Sequence, residues 1–184
     1  MKDNTNMADH DLAALWDAHC RYEFETRDVD ATMASMVAEP YVNHVPTMTG
    51  GVGNDQLRRF YTNHFVGQNP PDTALTLVSR TVGADSLVDE MIFSFTHTSE
   101  VDWMLPGVKP TGRRVEIPLI AIIKFIGDKL AHEHIYWDQA SVLVQIGALD
   151  PAGLPVAGAA TAAKVLDKTL PSNALMAAWT ASRS

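Results

Sequence analysis

The hydrophobic pattern of the chain changes near residue 70, and this change limits the folds open to it. Before that point, apolar residues such as Leu12, Leu15 and Trp16 recur at helical spacing. From Thr73 to Trp137 the chain is instead rich in Thr, Val, Ile and Phe, the residue types that favour strands. Helices followed by a run of strands predict an α+β fold in which the helices cover one face of an antiparallel sheet.

Turn and capping signals divide these two regions into three helices and about four strands. The first helix carries residues 12–22, the second follows Asp30 and ends at Pro40, and the third runs from Asn54 to about residue 65. Residues 49–53 (Thr-Gly-Gly-Val-Gly) are predicted to form a turn. The predicted strands cover residues 73–82, 87–98, 113–126 and 129–137, with Gly127-Asp128 as a two-residue hairpin between the last two.

Length and charge restrict the domain organisation and the partners. With 184 residues the chain predicts one domain over residues 1–150, followed by an Ala/Pro-rich tail over 151–184 that packs on the body or on a partner subunit. Its 14 basic and 22 acidic residues give a net charge of −8, which argues against nucleic acid and anionic membranes as partners. No apolar leader is visible at the N-terminus, so we expect a cytoplasmic protein.

The segment that carries most of the potential chemistry lies at the end of the last predicted strand. Because side chains alternate along a strand, His132, His134, Tyr136 and Asp138 are predicted to share one face. If that face lines a cavity, desolvation would raise the pKa of Asp138 and make it a proton carrier. Two alternatives stay open: Asp138 could cap the following helix, and His132-x-His134 with Asp138 has a spacing found among metal ligands.

Several residues outside this segment are further candidates for the same site. Asn43 and His44 precede Val45-Pro46, where proline favours extended and therefore rigid backbone. His97 lies at the end of the long predicted strand. Each of these side chains taken alone is more often structural, and their value as site residues depends on their convergence. We predict no metal, because a second ligand motif is not evident in the sequence.

The order of motifs resembles the SnoaL-like (polyketide cyclase-like) branch of the nuclear transport factor 2-like superfamily. The segment Ile135–Gln145 also resembles a subgroup often labelled as relatives of carboxymethylenebutenolidase or dienelactone hydrolase. The matching segments are 41–46 followed by 51–53, then 95–98, 110–113 and 127–130, and Asp138 followed by 145–147.

The resemblance implies a fold and a site. A curved antiparallel sheet would wrap around the three N-terminal helices as a cystatin-like cone, leaving a mostly apolar pocket at the open end. A carboxylate at the position of Asp138 would act as the acid/base, without metal or cofactor. His44 and His97 match positions near the cavity. His134 stands where the family often has tryptophan and could be a second proton carrier. A homodimer is also implied.

These observations predict a cofactor-independent acid/base enzyme, of cyclase, isomerase or dehydratase type, that acts on a small hydrophobic oxygenated metabolite. Asp138 would carry the proton, while His134 and His44 orient the substrate or stabilise developing charge. The alternatives are a hydrolase of lactones or epoxides, and a small-molecule-binding module of the same fold that has no chemistry. The expected substrate-binding residues are His97, Tyr136, Trp137, Trp103 and Asn43.

Overall fold

The computed structural model describes residues 10–179 and residue 182. Two helices open the described part of the chain, α1 (Leu12–Phe24) and α2 (Val29–Ala34). An aspartate caps each of them: Asp11 accepts a hydrogen bond from the backbone N–H of Ala14 at 3.0 Å, and Asp28 accepts one from Ala31 at 2.9 Å. Such caps satisfy backbone donors that lack partners inside the helix, and therefore fix where each helix begins.

Two strands follow where the sequence predicted the rest of a helix and a turn. Strand β1 (Met36–His44) and strand β2 (Thr49–Val52) form an antiparallel pair. The prediction that the second helix reaches Pro40 is therefore wrong, as is the prediction that residues 49–53 form only a turn. The physical reason is long-range pairing, because β1 also hydrogen-bonds to a strand nearly 100 residues later and this outweighs the local helical spacing.

The third helix, α3 (Asn54–Phe60), continues directly into a π-helical turn (Tyr61–Phe65). The extra residue in a π-helical turn rotates the side chains that follow it relative to an ordinary helix. Here Tyr61 and Phe65 both become buried. Phe65 lines the cavity described below, and Tyr61 makes a hydrogen bond to one of its residues, Glu133.

The four predicted strands are confirmed, each within two residues of its predicted bounds. They are β3 (Ala74–Val82), β4 (Ser86–Thr96), β5 (Arg114–Ile126) and β6 (Lys129–Trp137). The six strands form one curved sheet in the order β2-β1-β6-β5-β4-β3. Neighbours are antiparallel except β1 and β6, which are parallel, so the sheet is mixed rather than purely antiparallel.

The core lies between the concave face of this sheet and the helices. Strand β5 shows the alternation most clearly, because every second residue from Val115 to Phe125 is buried. On the helical side, Leu12 and Trp16 of α1 and Leu57 and Phe60 of α3 pack into the same cluster. The burial of one face of the sheet by helices is the α+β arrangement that the sequence predicts.

Two further helices follow the sheet, α4 (Gln139–Ile146) and α5 (Ala160–Leu166). Helix α5 packs on β5 and buries Ala162. Most of the described residues after 150 are exposed. None of the helices in the described part of the chain has the length and apolar character needed to cross a membrane.

Candidate active site

A cavity lies between α1, the π-helical turn and the concave face of the sheet. Its walls are mainly apolar and aromatic, with Phe65, Phe93 and Trp103 among them. The acidic side chains among its lining residues are Glu23 of α1 and Glu133 of β6. An apolar hollow with a few convergent polar side chains is the usual form of a small-molecule site.

The inward position of Glu133 results from a β-bulge in the hairpin between β5 and β6. Phe125 pairs with Leu130, but Lys124 pairs with His132, so Ala131 is an extra residue on β6. This shifts the register by one and places Glu133 opposite Ile123, on the concave face. A regular hairpin would instead place His132 opposite Ile123, because a shift of one residue exchanges the two faces of a strand.

Glu133 forms a buried triad with two residues of α1, His19 and Glu23. The Nε2 atom of His19 lies 3.1 Å from Oε1 of Glu23 and 3.1 Å from Oε1 of Glu133. The phenol of Tyr61 donates a weak hydrogen bond of 3.4 Å to the same oxygen of Glu133. None of these side chains is more than 5% exposed. Two carboxylates therefore share one imidazole nitrogen inside an apolar environment.

The hydrogen bonds of Ser35 indicate where the protons of His19 lie. The Ser35 hydroxyl is 2.6 Å from the carbonyl oxygen of Thr32 and 2.6 Å from Nδ1 of His19. Because a carbonyl can only accept, the hydroxyl proton belongs to the bond with Thr32, and Nδ1 of His19 must be the donor to Ser35. The Nε2 atom then faces two carboxylate oxygens, an arrangement that requires a proton between them.

The charges of the triad shift the pKa values of its members. Burial lowers the pKa of His19, but the two neighbouring carboxylates outweigh burial and raise this pKa to about 10. Burial raises the pKa of Glu23 above its ordinary value, and His19 opposes this rise. Burial and the same carboxylates keep the pKa of Tyr61 well above its ordinary value. His19 is thus an imidazolium at neutral pH, and Glu23 holds a proton more readily than a solvated glutamate does.

The same three residues are also the group in the described part of the chain from which a metal ion could take three ligands. One donor atom from each of His19, Glu23 and Glu133 lies within 4.8 Å of the others. The ion pair between the imidazolium and the carboxylates accounts for this grouping without a metal, because opposite charges favour the same short distances.

His44, one of the predicted site residues, lines the cavity. Its ring lies among Phe60, Phe65 and Trp103, with centroids 5.6, 5.4 and 4.7 Å away. Its Nδ1 lies 3.3 Å from the carbonyl oxygen of Thr49 and can only donate to it. Burial lowers the pKa of His44 to about 4, while Glu133 and the Thr49 carbonyl act in the opposite direction. The imidazole is therefore neutral at physiological pH.

The lowered pKa of His44 predicts a loss of stability in acid. Below pH 6.5 the unfolded chain binds a proton at His44 that the folded chain does not bind until about pH 4. The free energy of unfolding should therefore fall by about 3 kcal/mol over this range on account of His44 alone. Urea denaturation of the wild type and of His44→Phe between pH 7 and pH 4 measures this fall in the free energy of unfolding. The fall should be smaller in the variant.

A substitution of the exposed His10 is the control for this measurement. His10→Gln should follow the wild-type pH dependence. Parallel pH curves for the wild type and His44→Phe would contradict a neutral, buried His44.

Asp138 does not lie in the cavity, and the expectation that its carboxyl group faces the pocket is wrong. The residue is exposed and caps α4, as Oδ1 accepts from the backbone N–H of Ala140 at 3.0 Å and Oδ2 from the hydroxyl of Ser141 at 2.6 Å. The chain leaves the sheet after Trp137, so Asp138 begins the next helix rather than continuing the strand. The alternative that Asp138 caps the helix after β6 is therefore confirmed.

Three other predicted site residues lie on the convex face of the sheet. The same bulge that turns Glu133 inward turns His134 and Tyr136 outward. His134 stacks on His132 with ring centroids 4.5 Å apart, and Asn43 is its partner on β1. The expectation that His134, Tyr136 and Asn43 face the pocket is therefore wrong.

The remaining predicted residues are divided between the cavity and its surroundings. Trp103 lines the cavity, and its indole N–H donates to Asn69 at 2.9 Å. Trp137 packs against Trp103 with ring centroids 5.5 Å apart. His97 is buried near the loop that follows β4, with Nδ1 3.2 Å from the hydroxyl of Thr111. The structure thus brings His44, Trp103 and Trp137 together, and places His97 apart from them.

Sequence reasoning missed Glu133 and Glu23 as site residues, although a signal for Glu23 was present. Leu12, Trp16, His19 and Glu23 follow one another at intervals of four, three and four residues, which places all four on one face of α1. A histidine and a glutamate four residues apart on an otherwise apolar face require a buried polar partner. The sequence does not identify Glu133 as this partner, because its inward position depends on the β-bulge at Ala131.

Comparisons with known proteins identify a family whose model matches the chain. The family model of the SnoaL-like polyketide cyclases matches residues 12–146. No curated protein matches the chain significantly. The subgroup label of carboxymethylenebutenolidase or dienelactone hydrolase relatives receives no support from these comparisons.

Solved structures with the same fold have low sequence identity to the chain. A protein from Acidithiobacillus ferrooxidans, provisionally named a polyketide cyclase, is 16% identical with a TM-score of 0.59, over 74% of this chain and 94% of that one. An uncharacterised protein from Catenulispora acidiphila with a ketosteroid isomerase-like fold is 16% identical with a TM-score of 0.54, over 72% and 92%. The epoxide hydrolase/cyclase-like enzyme SalBIII is 15% identical with a TM-score of 0.51, over 68% and 89%.

Helices α1 to α4, the six-stranded curved sheet and the cavity all lie within the matched residues. Because the family model covers well over half of the chain, the chain belongs to the SnoaL-like polyketide cyclase family.

Proposed function

We propose that the protein is an acid/base enzyme of cyclase or isomerase type, and that Glu133 rather than Asp138 carries the proton. The observation that supports this proposal is the buried carboxyl group of Glu133, which lines an apolar cavity and shares a histidine with a second carboxyl group, Glu23. A pair of carboxyl groups whose surroundings differ can supply a base and an acid at the same pH.

Both hydrogen-bonding partners of Glu133 among the described residues act on the same oxygen. His19 and Tyr61 both approach Oε1, which holds the carboxyl group in one orientation. The imidazole of His19 lies 3.1 Å from this oxygen, on the side of the carboxyl group that faces α1. A fixed orientation within reach of the bound molecule is what a general base requires.

In the proposed reaction, Glu133 takes a proton from a carbon next to a carbonyl group of the bound molecule. The electron pair of the broken C–H bond moves onto the carbonyl oxygen and gives an enolate. Glu23, when protonated, donates a hydrogen bond to this oxygen. When Glu133 returns the proton to another carbon and the C=O bond re-forms, the substrate is isomerised. When the enolate carbon instead attacks a second carbonyl group, the new C–C bond closes a ring, the π electron pair of that carbonyl moves to its oxygen, and Glu133 gives its proton to the resulting alkoxide.

The cavity walls favour a small, largely hydrophobic substrate with at least one oxygen. Phe65, Phe93 and Trp103 supply apolar surface, and the neutral His44 adds no positive charge. SalBIII, which shares the fold, is described as having a role in pyran ring formation. Ring closure or proton transfer on a substrate of this kind is compatible with the residues of this cavity.

Deuterium exchange into a simple carbon acid tests the proposal before the substrate is known. The protein should accelerate exchange of the C–H protons of β-tetralone with D₂O, followed by proton NMR. The control is Ala121→Leu, because Ala121 is fully buried at the cavity wall and a larger side chain there occupies the space for the ligand. Exchange should be at least about tenfold slower with this variant, since it blocks the site without altering the triad.

Equal exchange rates with the wild type and with folded Ala121→Leu would contradict catalysis in the cavity. The chain would then be better described as a binding module, in which the same side chains only satisfy one another.

A further inference from the structure

A second, more polar pocket adjoins the central cavity. The two share Glu23 and Phe24, which form the wall between them. The second pocket is otherwise lined mainly by polar and loop residues, among them Arg27, Gly67 and Thr73. A molecule that passes this wall would have an apolar part in the cavity and a polar part in the second pocket.

Arg27 adopts a backbone conformation that arginine rarely takes. It lies in the short connection between α1 and α2 with a φ of 55°, in the left-handed region. The backbone N–H of Asp28 closes this turn on the carbonyl oxygen of Tyr22 at 2.9 Å. Glycine or asparagine is favoured in this conformation, because other side chains clash with their own backbone. Strained residues of this kind occur preferentially at functional sites.

The side chain of Arg27 lies at the pocket, close to Gly67. A Cβ atom at Gly67 would lie 3.8 Å from Cδ of Arg27, so the arginine stem passes close to this glycine. Although the chain has 22 acidic residues, Arg27 forms no ion pair with any residue that the structure describes. Arg27 is exposed, so at this pocket its guanidinium group is open to a ligand and has no protein carboxylate as its partner.

Thr73 provides a second polar group without a partner in the same pocket. Its hydroxyl oxygen is buried and has no hydrogen bond to any described residue. Buried hydroxyl groups without a partner are uncommon in folded proteins, and one that lines a pocket can donate to a bound molecule. On the opposite wall, Glu23 lies 3.1 Å from Nε2 of His19, which offsets the charge of Glu23 when this glutamate is ionised.

We infer that the second pocket binds the carboxylate of an amphipathic ligand whose apolar part occupies the central cavity. A guanidinium group matches a carboxylate with two parallel N–H bonds, and the hydroxyl of Thr73 can add a third donor. The strain at Arg27 is then retained because glycine at this position would remove the cation. This inference rests on the proposed function in so far as the cavity is the ligand site, and it narrows the substrate class to small monocarboxylic acids.

The experiment compares hydrocinnamate with its uncharged amide, hydrocinnamamide, as probes for wild-type protein by NMR titration. Hydrocinnamate should bind with a dissociation constant at least about tenfold lower than that of the amide. The reason is that a hydrogen bond between two charged groups stabilises a complex more than one to a neutral amide does. Arg27→Gln should remove this preference and leave binding of the amide unchanged. The matched control is Arg59→Gln, which removes the same charge from an exposed position on α3 and should keep the preference.

Arg27→Gly separates loss of binding from loss of folding. Because glycine tolerates the left-handed conformation, this variant should unfold at a higher urea concentration than the wild type while losing the preference for the carboxylate. A variant that is less stable, or that still prefers the carboxylate, would overturn the inference.

Two further outcomes distinguish this inference from the proposed function. Equal affinities of the acid and the amide for the wild type, with weaker binding of both to Ala121→Leu, would overturn the carboxylate pocket and leave the cavity as the ligand site. Equal affinities of hydrocinnamate for the wild type and Ala121→Leu would overturn both.

Discussion

Replacing Glu133 with glutamine should slow deuterium exchange into β-tetralone by about 10³-fold, the range typical for loss of a general base. Glutamine keeps the volume of the side chain and can still accept a hydrogen bond from Tyr61. It cannot take a proton, and it removes one of the two charges that face His19. The comparison of kcat/KM for the two proteins, with near-ultraviolet circular dichroism as a check of folding, measures the effect.

Two substitutions of other carboxylates serve as controls for this prediction. Glu90→Gln makes the same change on β4, at a residue that does not line the cavity. There, Glu90 accepts a hydrogen bond of 3.0 Å from the hydroxyl of Ser79. Asp138→Asn changes the helix cap. Both variants should keep kcat/KM within about threefold of the wild type, less than the loss of any catalytic group. A large loss in Asp138→Asn together with little loss in Glu133→Gln would reverse the roles proposed for the two residues.

Replacing Asp89 with alanine should lower the free energy of unfolding by about 3 kcal/mol. It leaves the buried indole N–H of Trp16 without a partner and leaves the partly buried Arg80 with only the exposed Asp17 as its partner. Asp89 is 1% exposed and lies on β4. It accepts two hydrogen bonds from Arg80, at 2.7 and 2.8 Å, and one from the indole N–H of Trp16 at 2.9 Å. These bonds join β3, β4 and α1, so their loss should weaken the packing of α1 on the sheet.

Asp102→Ala is the matched control for the stability measurement. Asp102 pairs with His64 at 2.8 Å, but both side chains are at least 40% exposed. Exposed ion pairs contribute about 0–1 kcal/mol, so this variant should remain close to the wild type in urea denaturation. If Asp89→Ala lost no more stability than Asp102→Ala, the contacts of Asp89 would not hold α1 on the sheet.

The sequence alone was sufficient for the elements whose signals are local. Strands β3 to β6 were predicted within two residues, because β-branched runs are bounded there by turn residues such as Gly127-Asp128. Helices α1 and α3 followed from the spacing of their apolar residues. Strand β1 was not predicted, since its residues also fit a helical pattern and only pairing with β6 selects the extended form.

For the candidate site, the sequence determined which residue types were present, and the tertiary structure decided which of them meet. The sequence identified His44, Trp103 and the polar segment of β6, and it correctly assigned alternating faces within that segment. It could not decide which face is buried. The bulge at Ala131 decides this, because one additional residue exchanges the two faces and brings Glu133 rather than His134 to the cavity. A bulge of this kind depends on how two strands pair and twist, so it cannot be inferred from the residues of one strand.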